Sequence, residues 1–262
     1  LTAFHAIEAL SRADGAVGWC AMIAMAESLF LGWLQPEVGR RLFGQPPDVR
    51  MAGSLRPEGR ATVVAGGYRV QGRWDFASGI HHANWLMCTC VVIQGDAPRQ
   101  TPAGVPETRI LLVPVTAARI VDTWSTVGLR GTGSQDFSVD EVFVPAPHTF
   151  SLATAPQVPG PLYHPRLLFT VAWTPTVANT LGMARGAIDT FVALATQAHS
   201  TSSPTLLRDR PLVQTRVAEA EAIVNAARAY VLDAVGTAWE AVCAGVADPT
   251  QEIAQARLAI TH

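Results

Sequence analysis

The sequence predicts an α+β fold: an N-terminal helical segment, a central β domain and a C-terminal helical bundle. Three observations predict it. Residues 1–47 carry helical patterns, with Asp14 placed to cap a helix. Residues 48–148 carry short alternating apolar runs separated by turn residues. Residues 149–262 return to helical patterning after a proline-rich stretch. Helices, then strands, then helices imply a sheet carried between helical segments rather than repeating βαβ units.

Bulk properties narrow the class further. The 262 residues are 49% apolar and 15% charged, with a net charge of −2. That balance supports a large core and argues against disorder. It gives no reason to expect a nucleic-acid or membrane partner. The apolar run "GWCAMIAMAESLFLGWL" is interrupted by Glu27 and Ser28 and reads as a core helix rather than a membrane span. The chain opens at Leu1 and closes at "ARLAITH", both inside helical patterns, so it reads as an ordered piece of a longer protein with both ends truncated. Four cysteines do not suggest a disulfide scaffold. Cys88 and Cys90 lie two apart on a predicted strand and read as core, with no further metal ligands nearby.

The elements follow in order. Asp14 caps a helix over Ala16–Leu34, and Pro36 opens a short second one. In Tyr68–Ser78 the period is two: Tyr68, Val70, Trp74, Phe76 and Ser78 share one face, Arg69, Gln71, Arg73 and Asp75 the other. "LMCTCVVI", "ILLVPV" and "FSVDEVFVP" are further strands, and "QGDAPRQTPAGVPETR" is a loop. The prolines of "PAPHTFSLATAPQVPGPL" forbid regular helix and make it a domain connection or a functional loop. A long helix spans Pro211–Ala244. Val217, Val224, Val231 and Ala238, each followed three positions on by an alanine, form a narrow seam for a neighbouring helix of this chain or of another subunit.

The chemistry concentrates in "GRWDFASGIHHANW", residues 72–85. Gly-x-Ser-x-Gly, His-Glu-x-x-His and Gly-Lys-Ser/Thr motifs are all lacking from the sequence. "GLRGTGS", 128–134, is glycine-rich but lies between strands, away from any helix N-terminus that would cradle phosphate. The aromatic face suits a flat ligand, a flavin ring. Trp74 would form a wall, Ser78 would place a hydroxyl near the ring's N5, and Gly79 would let backbone come close. Ordinary core packing is the other reading of that face.

Two stretches carry a family resemblance. "MAGSLRPEGRATVVAGGYRVQGRWDFASGIHHANW" and "TWSTVGLRGTGSQDFSVDEVFVP" resemble the central β domain of the acyl-CoA dehydrogenase superfamily. "GRWDFASGIHHANW" and "GLRGTGSQD" resemble the branch of two-component flavin-dependent monooxygenases (hydroxylases). These enzymes take reduced flavin from a separate reductase and hydroxylate aromatic or polycyclic molecules. The resemblance implies residues 1–47 as the end of a helical domain, 48–148 as an antiparallel, barrel-like, flavin-binding β domain and 149–262 as an incomplete bundle. It implies reduced FMN or FAD without metal, a flavin reductase and a small-molecule substrate as partners, and a cytoplasmic homotetramer.

Residue by residue, the resemblance implies that Gly53, Ser54 and Leu55 pack on the flavin ring and that Trp74 and Ser78 contact it. Gly131, Thr132 and Gly133 match a turn typical of the branch, which equally reads as a tight strand connection. Trp19 and Phe150 are candidate substrate-pocket walls. The hydroxylases carry a histidine between the positions of Trp19 and Trp33, where this chain has none; His81 or His82 would stand in for it, and the other reading makes one a turn residue and the other a hydrogen-bonded strand end. Two absences weigh against the alternative, an acyl-CoA dehydrogenase desaturating a thioester. Phe169–Ile188 lacks the carboxylate that some dehydrogenases place there, and "AHSTSSPTLLRDRPLVQ" replaces their Arg-x-Phe-Gly stretch. A non-catalytic member of the superfamily is the third reading.

Overall fold

The structure is a computed structural model that describes residues 1–44, 48–199 and 204–261. Part of "AHSTSSPTLLRDRPLVQ" therefore lies outside the described residues. The helices are α1 (Thr2–Ala13), α2 (Gly15–Leu29), α3 (Pro36–Phe43), α4 (Leu168–Ala195), α5 (Pro211–Cys243) and α6 (Thr250–Thr261). The strands are β1 (Met51–Val64), β2 (Gly67–Ala77), β3 (Trp85–Gln94), β4 (Ala97–Pro98), β5 (Thr108–Pro114), β6 (Arg119–Val121), β7 (Gln135–Pro145) and β8 (Thr149–Phe150). Two compact units result: Leu1–Met22 with His164–His262, and Ile23–Tyr163.

In the helical unit, α4 lies on α1 with almost no side chain between them. A Cβ added at Gly182 or Gly186 would come within 2.4 Å of the Glu8 or Arg12 carbonyl. Small residues at that spacing let two helix backbones touch. Asn179, fully buried, donates to Ser11 Oγ (2.8 Å) and to the Gly15 carbonyl (2.9 Å). Asp14 Oδ1 accepts from the N–H of Ala16 (2.7 Å) and Val17 (3.1 Å), as its capping position predicts. The seam on α5 is only half used within the chain. Val231, Ala234 and Ala238 are buried, whereas Val217 and Val224 are half-buried and Ala227 is exposed.

In the sheet-bearing unit, Pro36 starts α3 at its first turn. The eight strands form one sheet in the order β6-β7-β2-β1-β3-β5-β8, with β4 paired to β3. All neighbours are antiparallel except β1 and β3, which are parallel. The sheet is thus mixed, not purely antiparallel as expected. The reason is local. After the β1–β2 hairpin, the short turn Ser78–Asn84 returns the chain to the start of β1, where Trp85 pairs with Met51, on the edge away from β2. A strand that starts beside the start of its neighbour runs parallel to it.

The core of this unit gathers Trp74, Phe137, Ile80, Leu86 and Leu111. Trp74 stacks on Phe137 (ring centroids 5.0 Å, planes 14° apart) and its indole N–H donates to the Thr89 carbonyl (2.9 Å). Cys88 and Cys90 are fully enclosed in the same core. Burial pushes both thiols up, Cys90 to about 12, so neither is poised as a thiolate ligand.

Candidate flavin site

The strand that carries Trp74 and leads into Ser78 does not keep its period to the end. Trp74 pairs with Phe137, and Ala77 with Gln135, so Asp75 and Phe76 on β2 oppose one residue of β7. That bulge inserts an extra position and resets the alternation. Phe76 takes φ 56° and turns outward, 61% exposed, while Ala77 and Ser78 turn in. A positive φ is unusual for a bulky side chain and persists only where neighbours hold it.

The neighbours are those of the loop before β7. Gln135 Oε1 accepts from the N–H of Thr123 (2.7 Å) and of Trp124 (2.8 Å). Trp124 meets Phe76 edge to face, with centroids 6.2 Å apart, and donates its indole N–H to the Leu129 carbonyl (3.2 Å). The turn Arg130–Thr132 is flanked by left-handed residues, Leu129 at φ 52° and Gly133 at φ 49°. A Cβ at Gly133 would come 2.8 Å from the His81 ring, so glycine is needed for space as well as conformation.

Three hydroxyls tie the two turns together. Thr132 Oγ1 donates to the Leu129 carbonyl (2.9 Å) and lies 2.8 Å from Ser134 Oγ, which lies 2.7 Å from Ser78 Oγ. A carbonyl only accepts, and each hydroxyl has one proton. Ser134 therefore donates to Thr132, and Ser78 donates to Ser134. The Gly79 N–H also donates to the Thr132 carbonyl (2.8 Å). All three hydroxyl residues are buried, and Ser78 is 7% exposed.

The structure thus brings together Ser78, Thr132 and Gly133, with the His81 ring beside Gly133. Gly131 is exposed on the same turn. His82 is exposed, and its carbonyl accepts from Arg50 Nε (2.9 Å). Other predicted residues fall elsewhere. Trp74 is enclosed in the core, so it is no wall for a ligand; the inward side of β2 has already been filled by Phe137. Phe150 is 3% exposed and pairs with Ile110 in the sheet, which makes it core rather than pocket wall. Gly53 is buried for a packing reason: a Cβ there would fall 2.3 Å from the Met87 carbonyl on β3. Ser54 and Leu55 are half-buried, and the Ser54 carbonyl accepts from Thr89 Oγ1 (2.7 Å). Trp19 is half-buried on α2 in the helical unit. The outward roles of Phe76 and Trp124 were not read from the sequence. Alternation put Phe76 beside Trp74, and Trp124 sits in a loop with no period to read.

The comparisons agree on one family. Residues 175–262 match the model of the acyl-CoA dehydrogenase C-terminal domain. An indole-3-acetate monooxygenase of Pseudomonas putida is 37% identical over 258 residues, 98% of this chain and 64% of the relative. The oxygenase component of an FADH2-dependent resorcinol hydroxylase of Rhizobium sp. is 33% identical over 241 residues, 87% of this chain and 58% of the relative. The crystal structure of 3-HSA hydroxylase from Rhodococcus sp. RHA1 superposes with TM-score 0.82 at 29% identity, over 98% of this chain and 66% of that one. The chain spans less than two thirds of the length of each of these relatives. Along nearly its whole length the chain is similar in sequence and in fold to proteins named as monooxygenases and hydroxylases, and its last third matches the acyl-CoA dehydrogenase C-terminal domain.

Proposed function

We propose that the chain is part of the oxygenase component of a two-component flavin-dependent monooxygenase. It takes reduced flavin from a partner reductase and, with O2, hydroxylates a small aromatic molecule of the kind named in its relatives, indole-3-acetate or resorcinol. The observation that carries this reading is the outward aromatic pair Phe76–Trp124 beside the hydroxyl row of Ser78, Ser134 and Thr132.

That donor set fits an isoalloxazine, which needs an apolar aromatic face and neutral hydrogen-bonding groups at its edge. When bound, reduced flavin supplies the electrons that activate oxygen. The residues of this chain do the rest. Phe76 gives the ring a surface to pack on. Ser78, with its own proton committed to Ser134, meets a ring N–H as an acceptor and holds that proton in place. The buried row behind Ser78 keeps water from that position.

The acids of α4 support oxygenation over desaturation. Asp189 is the helix's one carboxylate, and it is held by Arg12 (2.7 Å) and Arg185 (3.6 Å), so it is not a base waiting for a thioester α-proton. The sheet-bearing unit is the flavin-binding part in this reading, with FMN or FAD as the flavin. A homotetramer goes with it, supported by the exposed half of the α5 seam. A cytoplasmic location goes with it too, where a reductase renews the flavin.

The test is anaerobic titration of the full-length protein with photoreduced FMN and FAD, followed by flavin fluorescence. Reduced flavin should bind at least about tenfold tighter than oxidised flavin, a difference of about 1.4 kcal/mol. Aerobic turnover with a reductase should hydroxylate indole-3-acetate or resorcinol. Binding of oxidised flavin alone, with desaturation of an acyl thioester, overturns the reading.

A further inference from the structure

One residue stands opposite the whole bulge on β2. Trp74 pairs with Phe137 and Ala77 with Gln135, so Asp136 of β7 alone faces Asp75 and Phe76. Its side chain is 16% exposed and is bonded on two sides. Oδ2 accepts from Arg73 Nε (3.0 Å) and Nη2 (2.6 Å), just before the bulge on β2. Oδ1 accepts from Thr123 Oγ1 (3.0 Å), in the loop between β6 and β7. The Asp136 backbone N–H in turn donates to that same hydroxyl oxygen (3.0 Å).

Thr123 is therefore held at its hydroxyl by Asp136 and at its N–H by Gln135, and the next residue is Trp124. From Trp124 the contact runs edge to face to Phe76, and from Phe76 along β2 back to Arg73. The path closes on itself around the bulge. Arg56 adds a brace from β1, donating to Asp75 Oδ2 (2.7 Å). An edge-to-face ring contact is too weak by itself to hold a loop, and the positive φ of Phe76 has to be offset by its neighbours. Hydrogen bonds to a carboxylate are stronger than those between neutral groups. Of the two limbs, the one to Arg73 contributes less, because that guanidinium is 57% exposed and an ion pair in water is worth little.

We propose that Asp136 is a positioning residue for the flavin: through Thr123 it holds the Trp124 ring against Phe76 and so fixes the aromatic surface on which the flavin ring packs. The proposal rests on the reading that Phe76 and Trp124 border a flavin. It assigns no proton transfer to Asp136, both of whose oxygens already accept hydrogen bonds.

Three variants of the full-length protein separate the limbs. Asp136→Ala removes both. Asp136→Asn keeps the limb to Thr123, since either end of the amide can bond a hydroxyl. Arg73→Gln removes the ion pair and leaves the Thr123 limb alone. Two measurements are made on each: amide hydrogen exchange of residues 122–129 in ligand-free protein, and anaerobic titration with photoreduced FMN. In Asp136→Ala, exchange of that loop should quicken about tenfold or more and reduced-FMN affinity should fall about tenfold. Asp136→Asn and Arg73→Gln should stay within about twofold of wild type in both, whatever they do to the urea midpoint. A merely structural carboxylate would lower the urea midpoint in Asp136→Ala and Arg73→Gln alike, without a selective change at 122–129. Unchanged loop exchange in Asp136→Ala, or Asp136→Asn or Arg73→Gln as impaired as Asp136→Ala, overturns the proposal. If Asp136→Ala does not fold, Thr123→Ala, which removes the hydroxyl at the other end of the same limb, takes its place with the same expectations. Wild-type protein that binds no reduced flavin sinks the proposed oxygenase, and loop exchange then decides by itself whether Asp136 holds the Trp124 loop. Flavin binding by wild type with no loss in Asp136→Ala overturns the positioning role and leaves the oxygenase standing.

Discussion

Two aromatic pairs begin two residues apart on β2 and have opposite fates. Trp74 and Phe137 are both fully enclosed, stacked nearly parallel, with the indole N–H spent on a carbonyl. Phe76 and Trp124 meet edge to face, with Phe76 mostly in solvent and its backbone held at positive φ. On a regular strand both would face the same way. One extra residue separates a pair that stabilises the sheet from a pair that a ligand can reach. Aromatic content alone does not distinguish these roles; the direction of each ring does.

The comparison is sharpest under substitution. Trp74→Ala should cost about 3–5 kcal/mol in urea unfolding, because it leaves a large cavity against Phe137. A loss below about 1 kcal/mol would mean that the inner pair is not core.

Glu27 on α2 is a further interior group, 9% exposed with no hydrogen-bond partner for its Oε2, and the sign of its effect follows from a pKa that burial raises to about 8. Folded protein keeps a proton that the unfolded chain, with an ordinary value of 4.5, releases. The associated stability is full below 4.5 and is lost as pH rises through about 8. Glu27→Gln should therefore be more stable than wild type near neutrality, by on the order of 2 kcal/mol, with a flatter dependence of the urea midpoint on pH.

Ser134→Ala removes the middle of the hydroxyl row. It should cost about 1–2 kcal/mol and weaken reduced-flavin binding about tenfold in anaerobic titration. Unchanged flavin binding would detach the row from the ligand. The smallest effect on folding, and the most telling, is expected at Phe76→Gly. Relief of the positive φ should leave stability unchanged or raise it by up to about 1 kcal/mol, while reduced-flavin affinity falls about tenfold. Destabilisation by that substitution would place Phe76 with Trp74 after all.

Much of the frame was legible. Asp14 and Pro36 mark helix starts because a capping carboxylate and a proline are tolerated at few other places. The span of α5 and the enclosure of Cys88 and Cys90 follow from period and composition. The bulge at Asp75–Phe76 was not legible, since alternation carries no mark of an extra residue until the partner strand is known. Nor was the parallel pairing of β1 with β3, which depends on where a short turn delivers the chain. The resemblance makes Gly53 a ring-packing position and Gly133 part of a turn typical of the branch. Gly53, however, answers to Met87 rather than to a ligand surface.

The bond from the Gly79 N–H to the Thr132 carbonyl, with the hydroxyl row beside it, yokes the end of β2 to the loop before β7. Ordering that loop is thereby charged to folding, not to ligand capture, so a visiting ring meets a rigid berth and loses little affinity to loop freezing. Loosening the yoke should show itself first as faster ligand departure rather than slower arrival.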